Sequence, residues 1–538
     1  MIRRRGTPGN RVEFGGAGGC GAPDGGGLGG GALTRRQLLA AGAAGAAALA
    51  LSGCGSGGPG AGDGSTLHAT WIDPRGDGQL RVGPGEPLLA RTTLGPATPL
   101  GDELARLAHL TDAHVMDASS PARVPFLARL GPPVQSTFRP HETLTTHVLD
   151  GTVNALRGFG PAVVIQGGDL IDNDQTNELE AALALLGGGR VYPGSGRDGY
   201  YGVQLASDPD PFYYRPDIDA PRHDGMLRAA VRPFTGRGLG ADWLPVLGDH
   251  DALVAGELVP TLETRALALG GRALWELPSG LKLPEGFRLN PTGSPDGPPD
   301  PEFVASFLAQ ALAGPTVAVP PDPRRAQLGF DVIERLWRGA GVARQPGVSA
   351  AGAAAAGQRL DYVRDVGDAV RVIVLDLAQR DGGSGGAVSD GQPEFLAEAV
   401  AGAGDRWVVV VAHQPILGSA GGELLLAVLD RSPRVIATLA GHIHRNQIVA
   451  RRTAAGGYWM ITTASLIDFP QQARGLSVVA TAGGGVALET WMLDHVDAGP
   501  LAGISRELSY LDASGGRPSH FRGTALDRNV RLFRRAVS

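Results

Sequence analysis

Cysteine is almost missing from this chain: 538 residues hold two, Cys20 and Cys54. Both fall in a segment that reads as a leader, so no internal disulfide is expected in the mature protein. Lysine is scarcer, with Lys282 alone, and the net charge is −6, which argues against a nucleic-acid footprint. No internal repeat is present. The 83 glycines follow no fixed period, so the chain is neither collagen-like nor a linker protein. The stretches "VIQGGD" and "RGLGAD" lack the G-x-x-x-x-G-K-S/T pattern, so there is no P-loop. The apolar run at 38–51 is too short to span a bilayer, which needs about 20 residues.

What is present is enough apolar content, 43%, for a sizeable core. The length allows a catalytic domain with large insertions, or two to three domains. The leader reads "LTRRQLLAAGAAGAAALALSGCGSGG". Its basic, apolar and small-residue parts, in that order, are those of a signal peptide. Arg35 and Arg36 resemble a twin-arginine export signal, and "LSGC" resembles a lipobox with Cys54 as the lipidated first residue. A plain cleaved signal is the alternative.

The expected layout is a signal segment at 1–54, then a tether and N-terminal flank at 55–99. A main α/β domain at 100–495 follows, with insertions at 190–240 and 252–358, and an Arg-rich tail at 496–538. Strand candidates lie at 104–115, 161–173, 243–247, 369–378, 406–415, 434–446 and 457–468, with helical stretches at 177–186 and 391–403. Their Val, Ile and Leu runs without alternation suggest strands buried on both faces. Loops such as the two insertions commonly shape a substrate cleft.

Five of the apolar runs end in metal-type ligands: Asp112 with His114; Asp169; Asp249 with His250 and Asp251; His413; and His442 with His444. In open α/β sheets, ligands bind beyond the carboxyl ends of the strands. On an extended segment, residues i and i+2 share a face, so D-x-H and H-x-H would each grip one ion from one side. Each fragment is weak alone. The ordered set D-x-H, GGD, G-D-H-D, H-x-P and G-H-x-H is not.

That set resembles the calcineurin-like metallophosphoesterase superfamily over roughly residues 100–495. "SLIDFPQQAR" and "GTALDRN" look like one of its bacterial exported subfamilies. The resemblance implies a four-layer α/β sandwich of two mixed sheets with a dinuclear site at the strand ends. It implies one metal held by Asp112, His114, Asp169 and His444, and another by Asp169, Asp249, His413 and His442, with Asp169 bridging. Two cations about 3.5–4 Å apart would lower the pKa of a bridging water and clamp phosphoryl oxygens. The nitrogen and oxygen donors suit Mn, Fe or Zn, as a divalent or mixed-valence pair. His250 would then be no ligand but would face the leaving group, as general acid or charge donor, with Asp251 accepting from its other ring nitrogen.

One position departs from the family, which usually has Asn where this chain has Asp249. The carboxylate adds one negative charge, so a centre of two divalent ions and a hydroxide would be neutral rather than positive. Such a centre would attract a dianionic monoester less, or favour a mixed M³⁺/M²⁺ pair. Purple acid phosphatases resemble the family but carry Tyr three residues after the Asp of the G-D motif. Here Asp172 stands there, so no tyrosinate-to-iron colour is expected. Arg139, His141 and His147 could reach a substrate phosphate or play ordinary surface roles. Tyr200, Tyr201, Tyr213 and Tyr214 could stack a base or sugar, or pack their insertion. The expected protein is an exported phosphoesterase with a small-molecule phosphate-ester substrate, outside the cytoplasmic membrane or anchored to it through Cys54. The alternatives are a nucleotidase or cyclic-nucleotide phosphodiesterase, or a metal-dependent binding lipoprotein with little turnover.

Overall fold

The Val-rich runs do form strands, and period-two alternation explains why they lack polar positions. The computed structural model describes residues 64–130, 134–276, 300–350 and 359–537, with Gly280 and Gly297. The leader with Arg35, Arg36 and Cys54, and also Lys282, lie outside the described residues.

The first seven-stranded sheet takes β1 (Leu89–Leu94), β2 (Leu100–Leu110), β3 (Val163–Gln166) and β4 (Asp242–Pro245) from the first half of the chain. It takes β12 (Gln472–Thr481), β13 (Gly485–Asp494) and β14 (Val530–Arg534) from the end. The order is β1-β14-β13-β12-β2-β3-β4, with β2, β3 and β4 parallel. The second sheet holds β5 (Val348–Ala350), β6 (Tyr362–Val366), β7 (Val370–Leu375), β8 (Trp407–Ala412), β9 (Val435–Ala440), β10 (Gln447–Arg451) and β11 (Tyr458–Thr462). Its order is β5-β6-β7-β8-β9-β11-β10, with β7, β8, β9 and β11 parallel and antiparallel edges.

The sheets pack face to face over one core. Val372, Val374, Val409 and Val411 point inward to meet Leu107, Leu110 and Leu476 of the first sheet. Their neighbours Ile373, Leu375, Val408 and Val410 point outward, onto α3 (Gln392–Ala401) and α4 (Gly422–Leu429) through Leu396, Leu425 and Leu429. Outside the first sheet lies α1 (Thr145–Phe159), which stops where Gly160 turns left-handed at φ 65° and donates its N–H to Leu156. The Phe159 ring meets Trp491 of β13 edge to face at 5.6 Å. Helix α2 (Thr176–Gly187) follows β3. The result is the expected four-layer α/β sandwich: helix, sheet, sheet, helix.

The first sheet runs past the expected 100–495 boundaries at both ends. β1 comes from the flank and β14 from the tail, where β14 inserts between β13 and β1. Arginines disguised β14 as a polar tail. Arg531 pairs with Glu489, and Arg534 donates to the carbonyls of Gly457, Ala455 and Arg535. Between them, α5 (Gly499–Gly515) packs on α1. The 190–240 insertion has its own core, in which Tyr200, Tyr213 and Tyr214 are buried with Phe138, Met226 and Leu227. Those three tyrosines therefore pack the insertion. No helix among the described residues is long and apolar enough to cross a membrane.

Candidate metal centre

Each expected ligand follows the carboxyl end of a parallel strand. Asp112 and His114 follow β2, Asp169 follows β3, Asp249 follows β4, His413 follows β8, and His442 and His444 follow β9. Because β2-β3-β4 and β8-β9 are neighbours within their sheets, all five loops open at one end of the sandwich.

The D-x-H and H-x-H pairs do not converge by strand alternation. Asp112, His114, Asp169, His442 and His444 all sit in the left-handed region, with φ of 52°, 43°, 49°, 64° and 53°. Each such non-glycine residue costs on the order of 1–3 kcal/mol, so surrounding bonds must hold it there. They do. Asp112 N–H donates to Gly168 O at 3.0 Å, His114 N–H to Asp169 O at 3.0 Å, and His442 N–H to Asp112 Oδ1 at 3.0 Å. Two glycines make room for the result. A Cβ on Gly168, at φ 93°, would strike the His413 ring, and one on Gly441 would strike Thr111 Oγ1 and Asp112 Oδ2.

The side chains meet in two overlapping groups. In one, His444 Nε2 lies 3.3 Å from Asp112 Oδ1 and 3.3 Å from His114 Nε2. In the other, Asp249 Oδ1 lies 3.2 Å from both His413 Nε2 and His442 Nδ1. Asp169 Oδ2 stands between them, 3.7 Å from His114 Nε2 and 3.1 Å from His413 Nε2. Its other oxygen accepts the His250 N–H at 2.9 Å.

These donors fit cations on three counts. Asp112, Asp169 and Asp249 are three carboxylates at 1% exposure or less, and nearby positive charge offsets the cost of burying them together. The facing nitrogens of His114 and His444 are lone pairs when their rings are neutral, since Nδ1–H of each donates to a carboxylate: Asp172 at 3.1 Å and Asp468 at 2.6 Å. His413 Nδ1 donates to Gly167 O at 2.8 Å, which leaves its buried Nε2 close to two carboxylates but aligned for a hydrogen bond with neither. Without a cation, protons do the work. Burial disfavours a charged His413, yet Asp169, Asp249 and Asp112 hold its pKa well above the imidazole range. Against the same burial, Asp112 and Asp468 push His444 up to about 9. Burial likewise opposes ionisation of Asp249, but His442 and His413 hold it well below the carboxylate range.

His250 sits beside this cluster on the short turn Asp249–Ala252, its side chain 23% exposed. Its partner is not Asp251. Nδ1 lies 2.6 Å from the backbone carbonyl of Asp172. Asp251 turns away and accepts three backbone N–H groups, from Leu170 at 2.8 Å, Ile171 at 3.2 Å and Gly248 at 2.9 Å. It staples the β4 turn to the β3 loop, a demand for acceptors that the motif alone did not reveal. Burial opposes charge on His250, but Asp169, Asp249 and Asp172 raise its pKa.

Arg139, His141 and His147 are buried, so neither a phosphate contact nor a surface role describes them. Arg139 clamps both oxygens of Asp468 at 2.8 and 3.0 Å. His141 meets Ile467 O and His147 meets Ala230 O. The sequence reading missed Asp468 and Gln414, whose Nε2 donates to Asp249 Oδ1 at 3.0 Å. Asp468 lies in "SLIDFPQQAR", a stretch marked by resemblance but given no role in the site. Gln414 is the middle residue of H-x-P.

No family model matches this chain, and no curated protein matches it. Solved structures give remote likenesses. A dimetal phosphatase from Danio rerio aligns at 14% identity and a TM-score of 0.32, covering 74% of this chain and 98% of that one. The sulfate thiohydrolase SoxB from Thermus thermophilus, solved with glycerol, aligns at 13% identity and a TM-score of 0.27, covering 78% of this chain and 61% of that one. At such scores the chemistry rests on the donor geometry alone.

Proposed function

We propose that this chain is an exported, metal-dependent phosphoesterase that cleaves a phosphomonoester or phosphodiester at a dinuclear centre. The observation that carries the reading is the position of Asp169 Oδ2 between two carboxylate–imidazole groups. Asp112, His114 and His444 would hold one cation with Asp169, and Asp249, His413 and His442 the other. When bound, such a pair supplies positive charge for the phosphoryl oxygens and an activated water. The nitrogen and oxygen donor set suits Mn, Fe or Zn.

His250 supplies the proton. With Nδ1–H committed to the Asp172 carbonyl, its exchangeable position is Nε2, on a side chain that is 23% exposed. In the metal-free protein the surrounding carboxylates favour the protonated form, and from Nε2 the imidazolium would hand its proton to a leaving oxygen. Asp251 maintains the turn that aims it.

The test is turnover of an aryl phosphate and a bis-aryl phosphate by protein reconstituted with Mn²⁺, Zn²⁺ or Fe²⁺. Nucleoside monophosphates and cyclic nucleotides form a second panel for the nucleotidase alternative. Two bound ions with no turnover on either panel would favour a binding lipoprotein, a reading that the extra charge of Asp249 supports. Export rests on Arg35, Arg36 and Cys54: replacing both arginines by lysine should retain the protein in the cytoplasm, and Cys54→Ala should free it from membranes.

A further inference from the structure

The two halves of the centre match in direct ligands: each has one carboxylate of its own, a share of Asp169, and two imidazoles. They differ in what stands behind those imidazoles.

Behind His114 stands Asp172, and behind His444 stands Asp468. Each carboxylate meets a buried arginine. Arg123 Nη1 lies 3.5 Å from Asp172 Oδ2, and Arg139 grips Asp468 with two bonds. The two relays then converge on one atom. Glu142 Oε2 accepts from Arg123 Nη2 at 3.2 Å and from the Arg139 backbone N–H at 3.2 Å. Glu142 and Asp468 are 1–2% exposed, and Arg123 and Arg139 are 7% and 3%. Arg517 also approaches Asp468, at 3.7 Å, but it is paired with Asp512 at 2.5 Å. Set that pair aside, and three carboxylates face two guanidinium groups, leaving this outer shell negative.

The other half has no such support. His413 leans on a backbone carbonyl, that of Gly167. His442 Nε2 has no hydrogen-bond partner among the described residues, and the His442 side chain is 21% exposed. Its carboxylate, Asp249, accepts a hydrogen bond from the Gln414 amide. A carboxylate behind a ligating histidine raises its basicity and fixes its tautomer, and removing one typically costs about 10–100-fold in metal affinity.

We propose that the His114–His444 half is the tighter, first-loaded metal site, and that Glu142, Arg123 and Arg139 act as positioning residues for it by joining its two histidine–aspartate relays. This rests on the reading that the cluster holds two cations. It also gives the stretch "FRPHE" a purpose that neither phosphate binding nor a surface role provides.

The experiment is calorimetric titration of metal-free full-length protein with Mn²⁺ alone, and in parallel with Zn²⁺ alone. Two steps of unequal affinity are expected. His444→Ala should remove the tight step and His413→Ala the weak one. Asp468→Asn should weaken the tight step by about 10–100-fold and leave the weak step in place. Asp172→Asn, on the other relay, should do the same, and Glu142→Gln should shift the tight step in the same direction. Near-ultraviolet circular dichroism of the metal-free variants confirms that they fold, and Asp172→Asn carries the test if Asp468→Asn does not. Two equal steps in the wild type, or an Asp468→Asn effect on the step that His413→Ala removes, overturns the proposal while leaving a dinuclear centre intact. No bound ion in the wild type overturns both.

Discussion

His250 Nδ1 lies 2.6 Å from the carbonyl oxygen of Asp172, and the same residue's carboxylate lies 3.1 Å from His114 Nδ1. One residue thus orients a proposed ligand through its side chain and the proposed acid through its backbone. A carbonyl can only accept, so His250 must carry its Nδ1 proton in both charge states. Only Nε2 gains and loses a proton. His250→Ala should therefore slow esters with high-pKa leaving groups by about 10²–10⁴, the range for general acid catalysis. Aryl esters, whose leaving groups need no proton, should lose far less. Equal losses on alkyl and aryl esters would assign His250 to binding or structure.

Asp251 yields a contrasting expectation. It closes three buried N–H groups and does not reach His250. Asp251→Ala leaves those donors unmet, at about 1–3 kcal/mol each. The expected signature is a large drop in unfolding temperature. Where Asp251→Asn folds, the pKa on the acidic and basic limbs of its rate profile should match the wild type. A displaced basic limb would restore Asp251 as the partner of the imidazole.

The histidines set a pH dependence for the metal-free protein. The folded-state pKa of His444, about 9, and that of His413 exceed the unfolded value near 6.5. Their contribution to stability is full below about 6.5 and is lost as pH rises toward 9. Burial, then Asp169, pushes Asp251 up to about 7, so stability also falls as the unfolded chain ionises there first, between about 4 and 7. Cations compete with the imidazole protons, so added metal should stabilise more as they leave. Thermal unfolding in chelator should show a midpoint that falls from pH 6 to 8.5. With Mn²⁺ added, the upward shift should grow over the same range. A metal-induced shift independent of pH would mean the imidazoles are not ligands.

How much of this could be read in the sequence depends on how local each cause is. The strand ends were legible because parallel strands buried on both faces are unbroken Val and Ile runs, and the ligands follow those runs directly. Strand alternation does not bring the D-x-H and H-x-H pairs together, and the left-handed φ at Asp112 and His444 that does so leaves no mark in residue spacing. Asp172 and Asp468 act on histidines 58 and 24 positions away, and only the closed sandwich creates those contacts. β14 was hidden by arginines whose charges are met by Glu489 and by backbone carbonyls.

Gly441 offers a test of the centre that touches no donor. A methyl group there would meet Thr111 Oγ1 and Asp112 Oδ2, both fixed by their own hydrogen bonds. Gly441→Ala should displace Asp112 and cost one metal equivalent, read by elemental analysis. Full occupancy in this variant would mean that Asp112 is not held where the loop geometry puts it.

Asp249 is where this chain parts from the pattern it resembles. Oδ1 faces His413 and His442 and accepts from Gln414, while Oδ2 lies 4.0 Å from His250 Nε2. Asn at this position would keep its oxygen toward the imidazoles and turn an NH₂ toward His250. That exchange removes one negative charge and replaces an acceptor that repels phosphate with a donor that binds it. Asp249→Asn should therefore bind inorganic phosphate more tightly and shift preference from monoanionic diesters toward dianionic monoesters. It should also hold trivalent iron less well, because a neutral amide offsets less charge than a carboxylate. His250 would lose one of the carboxylates that favour its protonated form, so the basic limb of the rate profile should move to lower pH. Phosphate inhibition, the monoester-to-diester ratio and metal content measure the first three effects, and a pH–rate profile the fourth. If all four match the wild type, Asp249 lies outside the ligand set, and the His413–His442 half of the centre is one donor short.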